Sequence, residues 1–207
     1  MLISKKYNFI FIHIYKNAGI SITDALLPFA ASRWQQRKAR LLRRFHMSTE
    51  SAVQPFRVHI AASEVIGTMG REKFDSFFSF AIVRNPWDWQ VSLYNFILKD
   101  SSNHHHKLVR SLGNFDTYIR WRCAEGVTFQ KDFIYSADGE LLVDFVGRYE
   151  SLEADFATVC SRLGISTSLP KFNVSNTKPY QQFYTEETKQ LVRRAFNEDI
   201  TLFNYDF

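Results

Sequence analysis

Strand-forming residues run from Tyr7 to Tyr15 and stop at Lys16-Asn17-Ala18-Gly19, after which Ile20, Ala25, Leu26 and Phe29 recur at helical spacing. The pattern predicts strand, tight turn, helix. A helix follows over about Arg33 to Phe45, then a short apolar segment Pro55 to Ile60 and a helix near Ser63 to Met69. Phe77 to Val83 is apolar apart from its serines, which suits a strand buried on both faces, as in a parallel sheet covered by helices. Pro86 stands where a helix can begin, and Trp87 to Leu98 continues it. His104 to Glu125 supplies one or two further helices. Phe133 to Tyr135 and Leu141 to Tyr149 read as strands joined around Asp138-Gly139. Ser151 caps a helix that Gly164 ends, residues 165 to 182 read as a polar loop, and Thr185 to Phe203 reads as a terminal helix. The expected fold is a single α/β domain over residues 1–207, three-layered and P-loop-like, with a central mostly parallel sheet flanked by helices.

Composition narrows the class. With 207 residues, of which 45% are apolar, a folded chain can bury roughly 70% of the surface it exposes when unfolded. It needs no disulfide or structural metal to hold a core. No apolar run approaches the roughly 20 residues of a membrane span, and the N-terminal stretch lacks a small-residue cleavage site, so a cytoplasmic protein is expected. Cys160 lies in a helical apolar pattern with Phe156, Val159 and Leu163 and reads as a buried free thiol.

The net charge of +5 is unevenly spread. Between Ala25 and Met47 there is no acidic residue, while Arg33, Arg37, Lys38, Arg40, Arg43 and Arg44 are all basic. This segment is either a solvated helix face or a surface for an anionic substrate, a nucleic acid or a lipid headgroup.

Two constellations carry the candidate chemistry. The first is Phe9-Ile-Phe-Ile-His-Ile-Tyr-Lys-Asn-Ala-Gly-Ile-Ser-Ile22. The first amides of a helix have no intrahelical partner, Lys16 adds a full positive charge and Ser21 a hydroxyl, so this turn suits an anion, the alternative being an exposed lysine at a strand end before a capped helix. A nucleotide-triphosphatase loop places glycine first and its lysine directly before Ser or Thr. Here lysine leads, which disfavours magnesium-ATP chemistry. The second constellation is Phe78-Ser-Phe-Ala-Ile-Val-Arg-Asn-Pro-Trp-Asp-Trp-Gln-Val-Ser-Leu-Tyr94. Arg84 ends a buried strand, where an arginine is costly to bury unpaired, and either pairs with Asp88 to set the helix start or faces a ligand at the carboxyl edge of the sheet.

The pair resembles the two nucleotide segments of the sulfotransferases that use 3′-phosphoadenosine 5′-phosphosulfate (PAPS), the carbohydrate sulfotransferase branch above all. There the first segment looks like Pro-Lys-Thr-Ala-Gly-Thr-Ser, and the second like Val-Arg-Asn-Pro-Tyr-Asp-Arg with a serine eight residues beyond the arginine. Similarity continues in order through Phe145-Val-Gly-Arg-Tyr-Glu-Ser-Leu-Glu-Ala-Asp-Phe156, the Leu169-Pro loop, and Tyr184 to Phe207. The resemblance implies that Lys16 and the residues Asn17, Ala18, Gly19, Ile20 and Ser21 hold the 5′-phosphosulfate. Arg84 and Ser92 would bind the 3′-phosphate, and Asn173, Ser175 and Lys178 would complete the nucleotide site. The donor would leave as adenosine 3′,5′-bisphosphate, without a metal. The chain departs from the family pattern in four places: Asn17 and Ile20 stand in place of threonines, Tyr15 in place of proline and Trp89 in place of arginine.

Sulfuryl transfer to a hydroxyl also calls for a base, and histidine suits neutral pH. His59 resembles the Lys-His or Val-His step between the family's nucleotide segments and is the expected catalytic residue beside Lys16, the alternative being a structural histidine bonded to a nearby carbonyl. His13 is expected in the core, His46 at the end of the basic helix, and His104-His105-His106 in a solvated loop rather than on a metal. The expected acceptor is a hydroxyl, on a saccharide by resemblance. Nucleic acid is disfavoured as a partner, and a membrane surface reached through residues 33–44 is left open. The alternatives are a non-catalytic binder of the nucleotide or of an anionic polymer and, with less support, a P-loop-type kinase.

Overall fold

The computed structural model describes residues 1–30, 57–170 and 178–207. The expected basic helix, with residues 33–44 through which a membrane surface is left open, lies outside them, as do Asn173 and Ser175. The described residues fall into two compact units, one from residues 1–30, 57–83 and 132–170, the other from residues 84–131 and 178–207.

The first unit is built on a sheet that, among the described residues, has four strands in the order β1 (Leu2–Ser4), β2 (Phe9–Ile12), β3 (Phe78–Val83) and β4 (Phe145–Arg148). β1 pairs antiparallel with β2, while β2–β3 and β3–β4 are parallel, so the sheet is mostly parallel as expected. Alternate residues of the central strands face opposite sides. Phe9, Phe11, Phe80 and Ile82 join one core with Ile22 and Leu26 of helix α1 (Gly19–Ala30) and Phe156, Val159 and Cys160 of a later helix, Leu152–Leu163. Ile10, Ile12, Ala81 and Val83, on the reverse side, are buried too. Both faces being covered explains why these strands lack polar alternation. Helices α2 (Ala62–Met69) and α3 (Arg71–Asp75) precede β3.

Three local expectations need correction. The first strand ends at Ile12 rather than Tyr15, because the backbone turns into the left-handed region at Lys16 (φ 64°) and Ala18 (φ 58°). The hairpin expected around Gly139 shrinks to a single bridge between Tyr135 and Leu141. The Asp144 carboxylate instead accepts from the Ser79 amide (2.7 Å) and hydroxyl (2.8 Å), and this clamp delivers β4 to the open edge of β3. Ser151 precedes the Leu152–Leu163 helix but makes no cap bond. Its hydroxyl donates to Asp155 (2.7 Å), whose carboxylate also accepts from the Arg148 amide (2.6 Å). Gly164 does end that helix, in the left-handed conformation that favours glycine.

The second unit contains α4 (Pro86–Lys99), α5 (His106–Ser111) and α6 (Phe115–Ala124); the Leu152–Leu163 helix of the first unit is α7, and α8 (Glu186–Ala195) and α9 (Asn197–Leu202) follow. Trp87, Trp89, Tyr118 and Phe196 form its buried centre. The expected terminal helix is broken at Phe196, whose ring is fully buried against Trp89 and Phe129. The break turns Asp199 inward, where its carboxylate accepts from the amides of Gln130 (2.8 Å) and Lys131 (3.0 Å). One such buried charge-assisted pair outweighs the single helical bond lost at the junction. His106 also differs from expectation, since it opens α5 and its Nδ1–H donates to the Ile97 carbonyl (2.8 Å).

Candidate functional site

β2 delivers the chain into a turn of unusual backbone geometry. Lys16 and Ala18 both sit at positive φ, a conformation that costs a non-glycine residue about 1–2 kcal/mol. Strain of this kind persists where the surroundings over-determine it, and clusters at sites that hold ligands. Left-handed residues in alternation with others, as at Lys16 and Ala18, are the backbone pattern from which anion-binding concavities are built. The Ile22 amide donates to the Ala18 carbonyl (3.1 Å), which makes that bond the first of α1. The amides of Gly19, Ile20 and Ser21 therefore precede the helical ladder, and among the described residues none of the three donates to the chain. They provide three donors and the positive end of the helix dipole.

The turn is anchored from below. Asn17 is buried, and its side-chain nitrogen donates to the Ile82 carbonyl at 2.8 Å, tying the turn to β3. Gly19 cannot carry a side chain, because a Cβ there would overlap the His13 ring. Ile20 points outward and is 70% exposed, so the position where the family carries threonine presents an apolar surface.

His59 stands beside this turn. A carbonyl can only accept, so the 3.0 Å contact between His59 Nδ1 and the His13 oxygen places the proton on Nδ1. In the neutral ring that tautomer leaves the lone pair on Nε2. The His59 ring meets His13 edge-on at 4.6 Å and Tyr15 at 5.9 Å, while His13 itself is buried and stacked on Phe11. The sequence reading of His13 as a core residue matches its burial. Lys16, the 17–21 turn and His59 are thus gathered at one end of β2.

The second unit holds Arg84, the residue after β3. Gln130 grips its backbone twice: the Arg84 amide donates to Oε1 and the Gln130 Nε2 donates to the Arg84 carbonyl, both at 2.8 Å. Asn85 caps α4 by accepting from the Trp87 amide (3.0 Å), and its own nitrogen donates to the Asp206 carbonyl (2.7 Å). The Arg84 guanidinium pairs with Asp88 at 2.8 Å, with the two side chains 11% and 22% exposed. This is the pairing that the sequence allows. Asp88 and Ser92 are one turn apart on α4, so the pairing draws the cation to the helix face that also bears Ser92. Lys178 is exposed. Spacing along the chain carries no sign of Gln130 or Asp199, which act across 46 and 69 residues. Asn85, by contrast, carries a signal that the sequence reading left unused, an asparagine just before Pro86. Among the described residues, no group of three His, Cys, Asp or Glu side chains is placed to hold a metal ion, and no helix is long and apolar enough to cross a membrane.

Residues 1–141 match the model of the Sulfotransferase family. An uncharacterized protein of Archaeoglobus fulgidus is 28% identical over 104 residues, which cover 49% of this chain and 79% of that protein. The crystal structure of a sulfotransferase from Alicyclobacillus acidocaldarius aligns over 100% of this chain and 95% of its own, with 13% identity and a TM-score of 0.37. Because the family match spans residues 1–141 of the 207, through β3 and past the Arg84 segment, the chain belongs to the Sulfotransferase family.

Proposed function

We propose that the protein transfers a sulfuryl group from PAPS to a hydroxyl of a saccharide acceptor. The observation that carries this reading is the left-handed turn with three uncommitted amides, flanked by a histidine whose lone pair is on Nε2. Three amides, a helix dipole and a lysine suit a phosphosulfate group, and the bare α-carbon of Gly19 allows close backbone approach. The bound donor supplies the sulfuryl group and departs as adenosine 3′,5′-bisphosphate. Lys16 and the amides of Gly19, Ile20 and Ser21 stabilise the negative charge that gathers on the departing phosphate as the sulfur–oxygen bond breaks. His59 Nε2 takes the proton from the acceptor hydroxyl as its oxygen bonds to sulfur, and the Nδ1–H bond to the His13 carbonyl steadies the imidazolium that results. Arg84 and Ser92 take the donor's 3′-phosphate, and Asn173, Ser175 and Lys178 complete the nucleotide site. The saccharide follows from the resemblance to carbohydrate enzymes.

Turnover of sulfur-labelled donor against a panel of glycans, phenols and lipids tests the reading. Lys16→Ala should abolish turnover, and His59→Ala should lower kcat by about a hundredfold or more, the usual share of a general base. A second reading, that the protein binds the nucleotide without turning it over, is favoured by exposed Ile20 and by the commitment of the Asn17 side chain to Ile82. Tight bisphosphate binding with no turnover on any acceptor would select it. Turnover of magnesium-ATP in its place would select a kinase.

A further inference from the structure

We propose that His13 is a positioning residue whose ring sets the orientation of His59 against the anion-binding turn. The proposal rests on the reading of His59 as the base and adds a residue to it. Three contacts of the His13 ring carry the argument. It stacks on Phe11 with centroids 5.7 Å apart and planes 16° from parallel. It lies so close to Gly19 that a Cβ there would overlap it. It meets the His59 ring at 4.6 Å and 69°, an edge-to-face contact. One flat ring is therefore the spacer between the strand, the first residue of α1 and the base. The same residue's carbonyl receives the His59 Nδ1–H bond.

The arrangement assigns two tasks to one residue. The carbonyl selects the tautomer, and the ring, with that of Tyr15, restrains the plane of an exposed imidazole. If the spacer is removed, His59 can turn about its side-chain torsions, lose the Nδ1–H bond and expose the other tautomer. A misplacement of about 1 Å at a reacting group can cost on the order of a hundredfold in rate. Donor binding belongs to Lys16 and the turn amides, so it should be less affected than turnover.

The test compares His13→Ala and His13→Phe with the wild type in donor turnover, and reads the His59 tautomer by long-range proton–nitrogen NMR. The wild type should show a protonated Nδ1 and an unprotonated Nε2. His13→Ala should lose roughly a hundredfold in kcat while the donor KM changes by less than about threefold, and its His59 signals should move toward mixed tautomers. His13→Phe, which restores a flat ring, should recover most of the loss and the wild-type tautomer. Should His13→Ala fail to fold, His13→Leu makes the comparison, since it fills the space without a flat face. The proposal is overturned by unchanged kcat, by a change confined to KM, by a kcat loss with the wild-type tautomer pattern, or by a phenylalanine variant as poor as alanine. His59→Ala separates this from the underlying reading. If that variant turns over normally, His59 is not the base, whatever His13 does to its tautomer.

Discussion

Replacing Gly19 with alanine probes the turn, and its sign can be worked out in advance. Gly19 lies within α1 and does not occupy the left-handed region, so its backbone conformation is open to any residue. At such a position Gly→Ala ordinarily stabilises by about 0.4–1 kcal/mol through the unfolded chain. The new methyl would overlap the His13 ring, which cannot withdraw freely because it is stacked on Phe11 and abuts His59. Overpacking of this kind costs about 1–3 kcal/mol. The overlap wins, and we expect a net loss of about 0.5–2 kcal/mol, or a fall in Tm of roughly 2–6 °C for a chain of this size. Urea denaturation and thermal melting measure it directly. The same substitution made in a His13→Ala background should become neutral or stabilising, since the ring it strikes is gone, giving a coupling of at least about 1 kcal/mol. A Gly19→Ala protein as stable as the wild type, or a loss that persists without the His13 ring, would refute the packing described for this turn.

Three further expectations follow from particular residues. Ala18→Gly relieves a left-handed alanine worth about 1–2 kcal/mol against a glycine entropy of about 0.5–1 kcal/mol, so the urea midpoint should rise; a fall would remove the claim of strain. Ile20→Thr adds a hydroxyl at the exposed second position of α1, and one hydrogen bond to a charged group, about 1.5–3 kcal/mol, should tighten adenosine 3′,5′-bisphosphate binding by roughly 10- to 100-fold in calorimetry. An unchanged affinity would mean that this face of the turn does not meet the nucleotide. Burial pushes the Cys123 thiol up to about 11, so iodoacetamide should label it slowly at pH 8 and about tenfold faster for each pH unit until that value is reached. Labelling that saturates near pH 8.5 would show the thiol to be solvated.

How far the fold was legible from the chain depended on how local its causes were. The strand–turn–helix at Lys16 and the strand–Arg84–Pro86–helix segment are both set by runs of apolar residues followed by capping or breaking residues, and both formed. Gly164 likewise stops its helix through its own backbone freedom. The readings that needed correction involve partners far along the chain. β4 leaves its expected hairpin because Asp144 binds Ser79, 65 residues away. The terminal helix breaks so that Asp199 can reach the amides of Gln130 and Lys131. β1 went unread because three residues, Leu2 to Ser4, offer too short a pattern, and only pairing with Phe9 to Phe11 makes them a strand. In the candidate site the lysine, glycine and histidine were visible by type. The positive φ at Lys16 and Ala18 was not, since neither residue favours that region. The His13 ring against Gly19 is a three-dimensional contact across six positions that no residue pattern announces.

The proposed function has Lys16 with its turn and Arg84 with its helix serve one nucleotide that carries two anionic groups. Isothermal titration with adenosine 3′,5′-bisphosphate in EDTA tests it most directly. We expect heat of binding at one site per chain, weakened by Lys16→Ala and by Arg84→Ala alike, and none with ATP and magnesium. No heat with the bisphosphate, or binding that either substitution leaves unchanged, would contradict the account.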